Sequence, residues 1–68
     1  MEITINNQIS TVPDSGFTVQ ALLDRELPNK QNGIALAINN SVIPKTEWNA
    51  RYITQNDQIL IISATQGG

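Results

Sequence analysis

Ile59-Leu60-Ile61-Ile62 is the stretch on which the fold turns. It is apolar at every position, so it has no polar face to give to water. That pattern suits a central strand covered on at least one side. The residues before it, Gln55-Asn56-Asp57-Gln58, are turn chemistry, and those after it, Ser63-Ala64-Thr65-Gln66-Gly67-Gly68, are small and polar. The strand must therefore find its neighbours elsewhere in the chain. Met1, Ile3 and Ile5 alternate with Glu2, Thr4 and Asn6, the period of a half-buried strand. Asn6-Asn7 adopts positive φ cheaply and reads as a tight turn. Ile9 to Val12 returns as the second arm of a hairpin, which Pro13-Asp14-Ser15-Gly16 stops.

One helix is legible. Thr18 is placed to be its N-cap, with Phe17 and Leu22 at the spacing of a hydrophobic staple. Val19, Leu22, Leu23 and Leu27 fall on one face, Gln20, Asp24 and Arg25 lie away from it, and Pro28 ends it. Residues 29–33 form a polar loop. Ile34, Leu36 and Ile38 share one face of a third strand, and Ala35 and Ala37 share the other. Asn39-Asn40-Ser41 turns into a short extended piece, Val42-Ile43-Pro44. Pro44 cannot donate a ladder hydrogen bond, so that piece belongs at an edge or an end. Trp48 and Tyr52 stand at helical spacing in a segment able to hold a single turn.

The order is therefore hairpin, helix, strand, short strand, strand. One helix must cover one face of a mixed sheet of four to five strands. The long connection between the first hairpin and the last strand lets those two run parallel at its centre. That is an α+β, β-grasp (ubiquitin-like) arrangement. We expect one domain over residues 1–64 and a flexible tail over 65–68.

Composition excludes much. At 68 residues with 40% apolar content, the chain has room for one small core and a net stability of only about a few kcal/mol. Eight Asn and six Gln replace many of the usual charges, which fall to 15%. Cys and His are both absent, which removes disulfides, the usual zinc, haem and iron–sulfur ligands, and any Ser–His or Cys–His nucleophile. A net charge of −2 with four scattered basic residues argues against nucleic acid as a partner. The apolar runs are too short to span a bilayer, and no basic, apolar leader follows Met1. A soluble, cytoplasmic protein is the expectation.

Two glycines then stand at the end with no turn to make. At an average glycine content of about 7%, that pair arises by chance in roughly one chain in 200. Without a Cβ, an extended Gly-Gly passes through a channel only as wide as a backbone. It would present one reactive group, the α-carboxylate of Gly68. Other candidates have bland readings. Trp48 is expected to plug the core edge, and Asp24 and Glu26 to form a solvated face. Glu2, Asp14, Glu47 and Asp57 show no metal-ligand spacing. If Ile59 and Ile61 face the helix, Leu60 and Ile62 lie on the open sheet face with Ala35 and Ala37. They are then either a partner surface or covered by the chain's own loops or C-terminal half.

Across its whole length the sequence resembles the ThiS family of sulfur carriers in thiamine biosynthesis. The resemblance rests on Thr18-Val19-Gln20-Ala21-Leu22-Leu23, Ala35-Leu36-Ala37-Ile38-Asn39, Val42-Ile43-Pro44-Lys45 with Trp48, Asn56-Asp57-Gln58-Ile59 and Gln66-Gly67-Gly68. Lys45 stands where Arg is frequent, Asn56 where Gly is usual, and the last strand lacks an aromatic residue found in some relatives. The small subunit of molybdopterin synthase shares the fold and the Gly-Gly end but usually carries prolines and bulkier residues before it. A ubiquitin-like binding module is the other alternative, although Lys30 and Lys45 equip the chain poorly for lysine-linked polymers.

The resemblance implies a protein co-substrate, not an enzyme. A ThiF-like enzyme, using ATP bound at its own site, would adenylate Gly68. A sulfur-donor protein would then convert it to a thiocarboxylate, and a thiazole synthase of the ThiG type would take the sulfur. Gly67, Gln66 and Thr65 would be read by those enzymes as the tail. No resident cofactor or metal is expected.

Overall fold

The computed structural model describes residues 1–63. Five strands form one mixed sheet: β1 (Glu2–Ile5), β2 (Gln8–Thr11), β3 (Ile34–Ile38), β4 (Ser41–Val42) and β5 (Gln58–Ser63). The spatial order is β2-β1-β5-β3-β4. β5 sits at the centre, parallel to β1 and antiparallel to β3. One helix, α1 (Val19–Glu26), packs on one face, and a 3₁₀ turn spans Lys45–Glu47. This is the β-grasp arrangement expected from the order of elements. The domain boundary at residue 64 and the tail over 65–68 lie outside the described residues.

Asparagines make both hairpins. A two-residue connection matches strand twist only when both residues take positive φ, which costs Asn less than most side chains. Asn6 and Asn7 stand at φ 50° and 68°, and Asn39 and Asn40 at 50° and 72°. Ile5 then pairs with Gln8, and Ile38 with Ser41. The second pairing refines the expected extended piece at 42–44. The strand is Ser41–Val42, at the sheet edge, and Ile43 leaves it to enter the core.

At the start of α1 the Val19, Gln20 and Ala21 N–H groups, which have no acceptor inside the helix, are all partnered, and the Leu22 N–H opens the helical ladder on the N-cap carbonyl. The Ala21 N–H donates to Thr18 Oγ1 at 3.1 Å, and the Leu22 N–H to the Thr18 carbonyl at 3.0 Å. Val19 and Gln20 donate to the carbonyls of Arg51 and Trp48, at 3.0 and 2.9 Å. The irregular segment after β4 thus caps the helix as well as connecting strands. At the other end, Leu27 leaves helical geometry before Pro28. Arg25 reaches from α1 to the Thr11 carbonyl and Ser10 Oγ, each at 3.1 Å, and ties the helix to β2.

Val19, Leu22 and Leu23 are fully buried against Ile3, Leu36, Ile38 and Ile59 from the sheet. Val12, Ile43, Trp48 and Ile53 complete the core from irregular segments. Trp48 plugs the core edge, with its indole N–H donating to the Ile43 carbonyl at 2.9 Å. Asp57 is a buried carboxylate. It accepts from the Thr54 N–H at 2.8 Å, Thr54 Oγ1 at 3.0 Å and Asn39 Nδ2 at 3.1 Å. Asn39 Oδ1 in turn accepts from the Gln58 N–H at 2.9 Å. The two turns that deliver β4 and β5 are thereby locked to each other.

Candidate functional site: the open sheet face at the end of β5

β5 presents its two faces as the alternation requires. Ile59 is buried under α1, and Ile61 packs partly against the same core. Leu60 and Ile62 point the other way and are 45% and 47% exposed. Among the described residues no loop covers them. Cross-strand register assembles the rest of this face. Ala37 lies opposite Leu60, Ala35 opposite Ile62, and Val42 opposite Ala37. On the far side of β5, Thr4 pairs with both Gln58 and Ile9.

The face differs from expectation in two respects. Ala37 is on it but is 7% exposed: it forms a floor, because the larger Leu60 and Val42 side chains flank it on the neighbouring strands. The apolar surface comes instead from Val42, 69% exposed, and from Ile9, 72% exposed at the other edge. Neither was singled out from the sequence. Each sits in a short edge strand whose facing becomes readable only once the turn register is known. Thr4, Ala37, Val42, Gln58, Leu60 and Ile62 help to enclose a shallow open hollow of about 350 Å³. Asn7 and Asn40 also line it, so the hollow mixes apolar and amide groups.

This face carries no reactive group of its own. Among the described residues no three His, Cys, Asp or Glu side chains come together as a metal site. The two carboxyls with displaced acidity lie elsewhere. Asp24, on the solvent side of α1, is held below its usual range by hydrogen bonds from Gln31 and Gln20. Asp14 is lowered by a hydrogen bond from the Met1 amino group and by its charge. Both fasten loops. What the face can do is recognise a partner, and its apolar part is contiguous with the last rungs of β5. There Ile62 pairs with Ala35 and Ser63 with Ile34, and the chain goes on from Ser63 to Gly68. Thr65, Gln66, Gly67 and Gly68, the expected covalent and recognition residues, lie outside the described residues.

Comparison with known proteins places this geometry in a family. The ThiS family model matches residues 2–68. The sulfur carrier protein ThiS of Escherichia coli is 37% identical over 68 residues, and the match covers 100% of both chains. A crystal structure of the thiamine biosynthesis protein ThiS from Geobacter metallireducens superposes with a TM-score of 0.84. It is 22% identical, with full coverage of both chains. A solution structure of a thiamine biosynthesis protein from the same organism gives 0.78, also at 22% identity, covering 100% of this chain and 88% of that one. At that identity the structural likeness speaks for the fold, and the sequence matches speak for the family. With its β-grasp sheet and a sequence match that runs through Gly68, the chain belongs to the ThiS family.

Proposed function

We propose that this chain is a sulfur carrier of thiamine biosynthesis and that Gly68 is the atom-transfer site. A carboxylate at neutral pH is a poor electrophile, because its charge is delocalised and its oxygen leaves badly. In the proposed cycle the Gly68 carboxylate attacks the α-phosphorus of ATP and pyrophosphate departs. The product is an acyl adenylate with a good leaving group. A sulfur nucleophile from a donor protein attacks the carbonyl carbon, and AMP departs. Where that nucleophile is a donor persulfide, the acyl disulfide so formed is cleaved by a thiol, which takes the donor sulfur into a disulfide and leaves a thiocarboxylate, still anionic, whose sulfur is the nucleophile handed on for thiazole formation.

The chain supplies the carboxylate and the docking surface. A ThiF-like adenylating enzyme supplies the ATP site, and a ThiG-like thiazole synthase receives the sulfur. The protein is thus a co-substrate, used in the cytoplasm with no resident cofactor. Leu60 and Ile62, with Val42 and Ala35 beside them and Ala37 beneath, form the surface by which both enzymes grip the domain. Thr65, Gln66 and Gly67 thread the active-site channel.

The observation that carries this reading is the full-length match to a sulfur carrier, extending through the terminal Gly-Gly. Deleting Gly68, or extending the chain beyond it, should abolish thiazole formation in a reconstituted system while leaving thermal unfolding unchanged. An extended chain that supports full thiazole synthesis would overturn the proposal. The exposed apolar face also suits a ubiquitin-like binding module with an inert terminus. That module would keep its binding, and lose nothing else, when Gly68 is deleted.

A further inference from the structure

β1 ends where Asn6 takes a left-handed conformation and the backbone turns away into β2. Its last backbone rung to β5 is the Asn6 N–H donating to the Ile59 carbonyl at 2.9 Å. The next rung on that flank would leave the Ile61 N–H and C=O without a backbone partner. A primary amide carries the same donor and acceptor as a peptide group, and the Asn6 side chain takes that rung. The Ile61 N–H donates to Asn6 Oδ1 at 2.8 Å, and Asn6 Nδ2 donates to the Ile61 carbonyl at 3.4 Å.

The turn alone does not call for this side chain, since Gly or Asp also accepts positive φ. Nor does the core hold this end of β5. Ile59 is locked at 2% exposure, but Ile61 is only partly buried and Ile62 is 47% exposed. Two hydrogen bonds spanning 55 residues of sequence therefore stand where packing fades. They stand two residues before the end of the strand from which residues 64–68 continue.

We propose that Asn6 is a positioning residue for the chemistry at Gly68. By completing the β1 flank of β5 it fixes the direction and phase with which the chain leaves the sheet beside the apolar face. The activating enzyme then meets an ordered end of β5 instead of ordering Ile61 to Ser63 on docking. This inference rests on the sulfur-carrier reading.

The test compares Asn6→Gly, which keeps the turn and removes the amide, with Asn6→Asp, which keeps the turn and the acceptor for the Ile61 N–H. ATP–pyrophosphate exchange with the activating enzyme gives KM and kcat for each carrier, and amide hydrogen exchange reports Ile61. Asn6→Gly should raise KM about fivefold, the equilibrium equivalent of one ordinary hydrogen bond, with kcat unchanged and Ile61 protection reduced by a similar factor. Asn6→Asp, which keeps the 2.8 Å bond and loses the 3.4 Å one, should bring both back most of the way to the parent values. A merely structural role would lower the unfolding temperature and leave KM alone. If the parent is adenylated and Asn6→Gly shows the parent KM, or Asn6→Asp fails to rescue it, the inference falls by itself. If the parent is not adenylated at all, the functional reading falls and takes the inference with it.

Discussion

Replacing Leu60 with Glu separates the two faces of β5 most sharply. Fully burying a leucine is worth about 1.5–3 kcal/mol. Leu60 keeps 45% of its surface exposed in the free domain, so the hydrophobic contribution at risk is roughly half of that, about 1–1.5 kcal/mol. The new carboxylate can stay hydrated above the sheet, and no buried acidic side chain lies directly across from it, where Ala37 sits. At roughly 0.05–0.15 kcal/mol per residue a domain of this size has about 3–10 kcal/mol of stability, so Leu60→Glu should fold. Ile59→Glu is the control. At 2% exposure its carboxylate would lie among Val19, Leu22 and Leu36 without a partner, a loss on the order of the whole stability. Ile61, partly exposed, should fall between the two.

In a complex the order reverses. If Leu60 is at the centre of the docking surface, burying the carboxylate should weaken binding by about 2 kcal/mol or more, around thirtyfold. Circular-dichroism melts and calorimetric titration against the adenylating enzyme and the thiazole synthase read both quantities. A Leu60→Glu carrier that binds both enzymes as tightly as the parent refutes the docking surface. One that unfolds while Ile59→Glu stays folded refutes the strand's facing.

Three further outcomes are expected. Gly67→Val adds a β-branched side chain to a segment proposed to enter a backbone-wide channel. It should slow ATP–pyrophosphate exchange severely while leaving the melting temperature unchanged, and equal rates would argue against a narrow channel. Asp57→Ala strands the buried donors of Thr54 and Asn39, so the urea midpoint should fall by the equivalent of about 2–4 kcal/mol, with the slope preserved. Asp24, bonded by Gln31 and Gln20, has its folded-state pKa lowered from the ordinary 3.8. Its contribution is therefore complete above that value and is lost as pH falls through the lower folded one. Asp24→Asn should flatten that acid limb of the urea midpoint, and an unchanged limb would deny the link between α1 and the loop after it.

The parts of the fold that announce themselves are those governed by local rules. Asn6-Asn7 and Asn39-Asn40 form the tight turns that paired asparagines favour, and the Thr18 cap with its Phe17 and Leu22 neighbours starts the helix where the pattern puts it. The unbroken apolar run of β5 needed a central place and has one, with Ile59 inward and Leu60 outward. What escaped the sequence depends on contacts between segments far apart in the chain. Val12, Ile43 and Ile53 join the core from stretches with no period to reveal them. Asp57 reads as one more turn residue until Asn39 is brought to it by the sheet. Ala37 is the floor and Val42 is exposed, because Ala37 lies on an inner strand between Leu60 and Val42 while Val42 lies on the edge strand. Asn6 was legible as a turn and not as the amide that completes the flank of β5. The terminus is the reverse case. The sequence shows a Gly-Gly tether and a carboxylate, the chemistry proposed for them comes from the family resemblance, and residues 64–68 lie outside those the structure describes.

Intact-mass spectrometry of the carrier tests the central claim most directly. The protein is incubated with the adenylating enzyme, ATP and a sulfur donor, and its C-terminal peptide is then fragmented. The expected result is the mass gain of one sulfur replacing one oxygen, located on Gly68 and dependent on ATP. A carrier that remains unmodified while the E. coli ThiS is converted in the same mixture, or one that takes up sulfur at any other residue, would contradict the account.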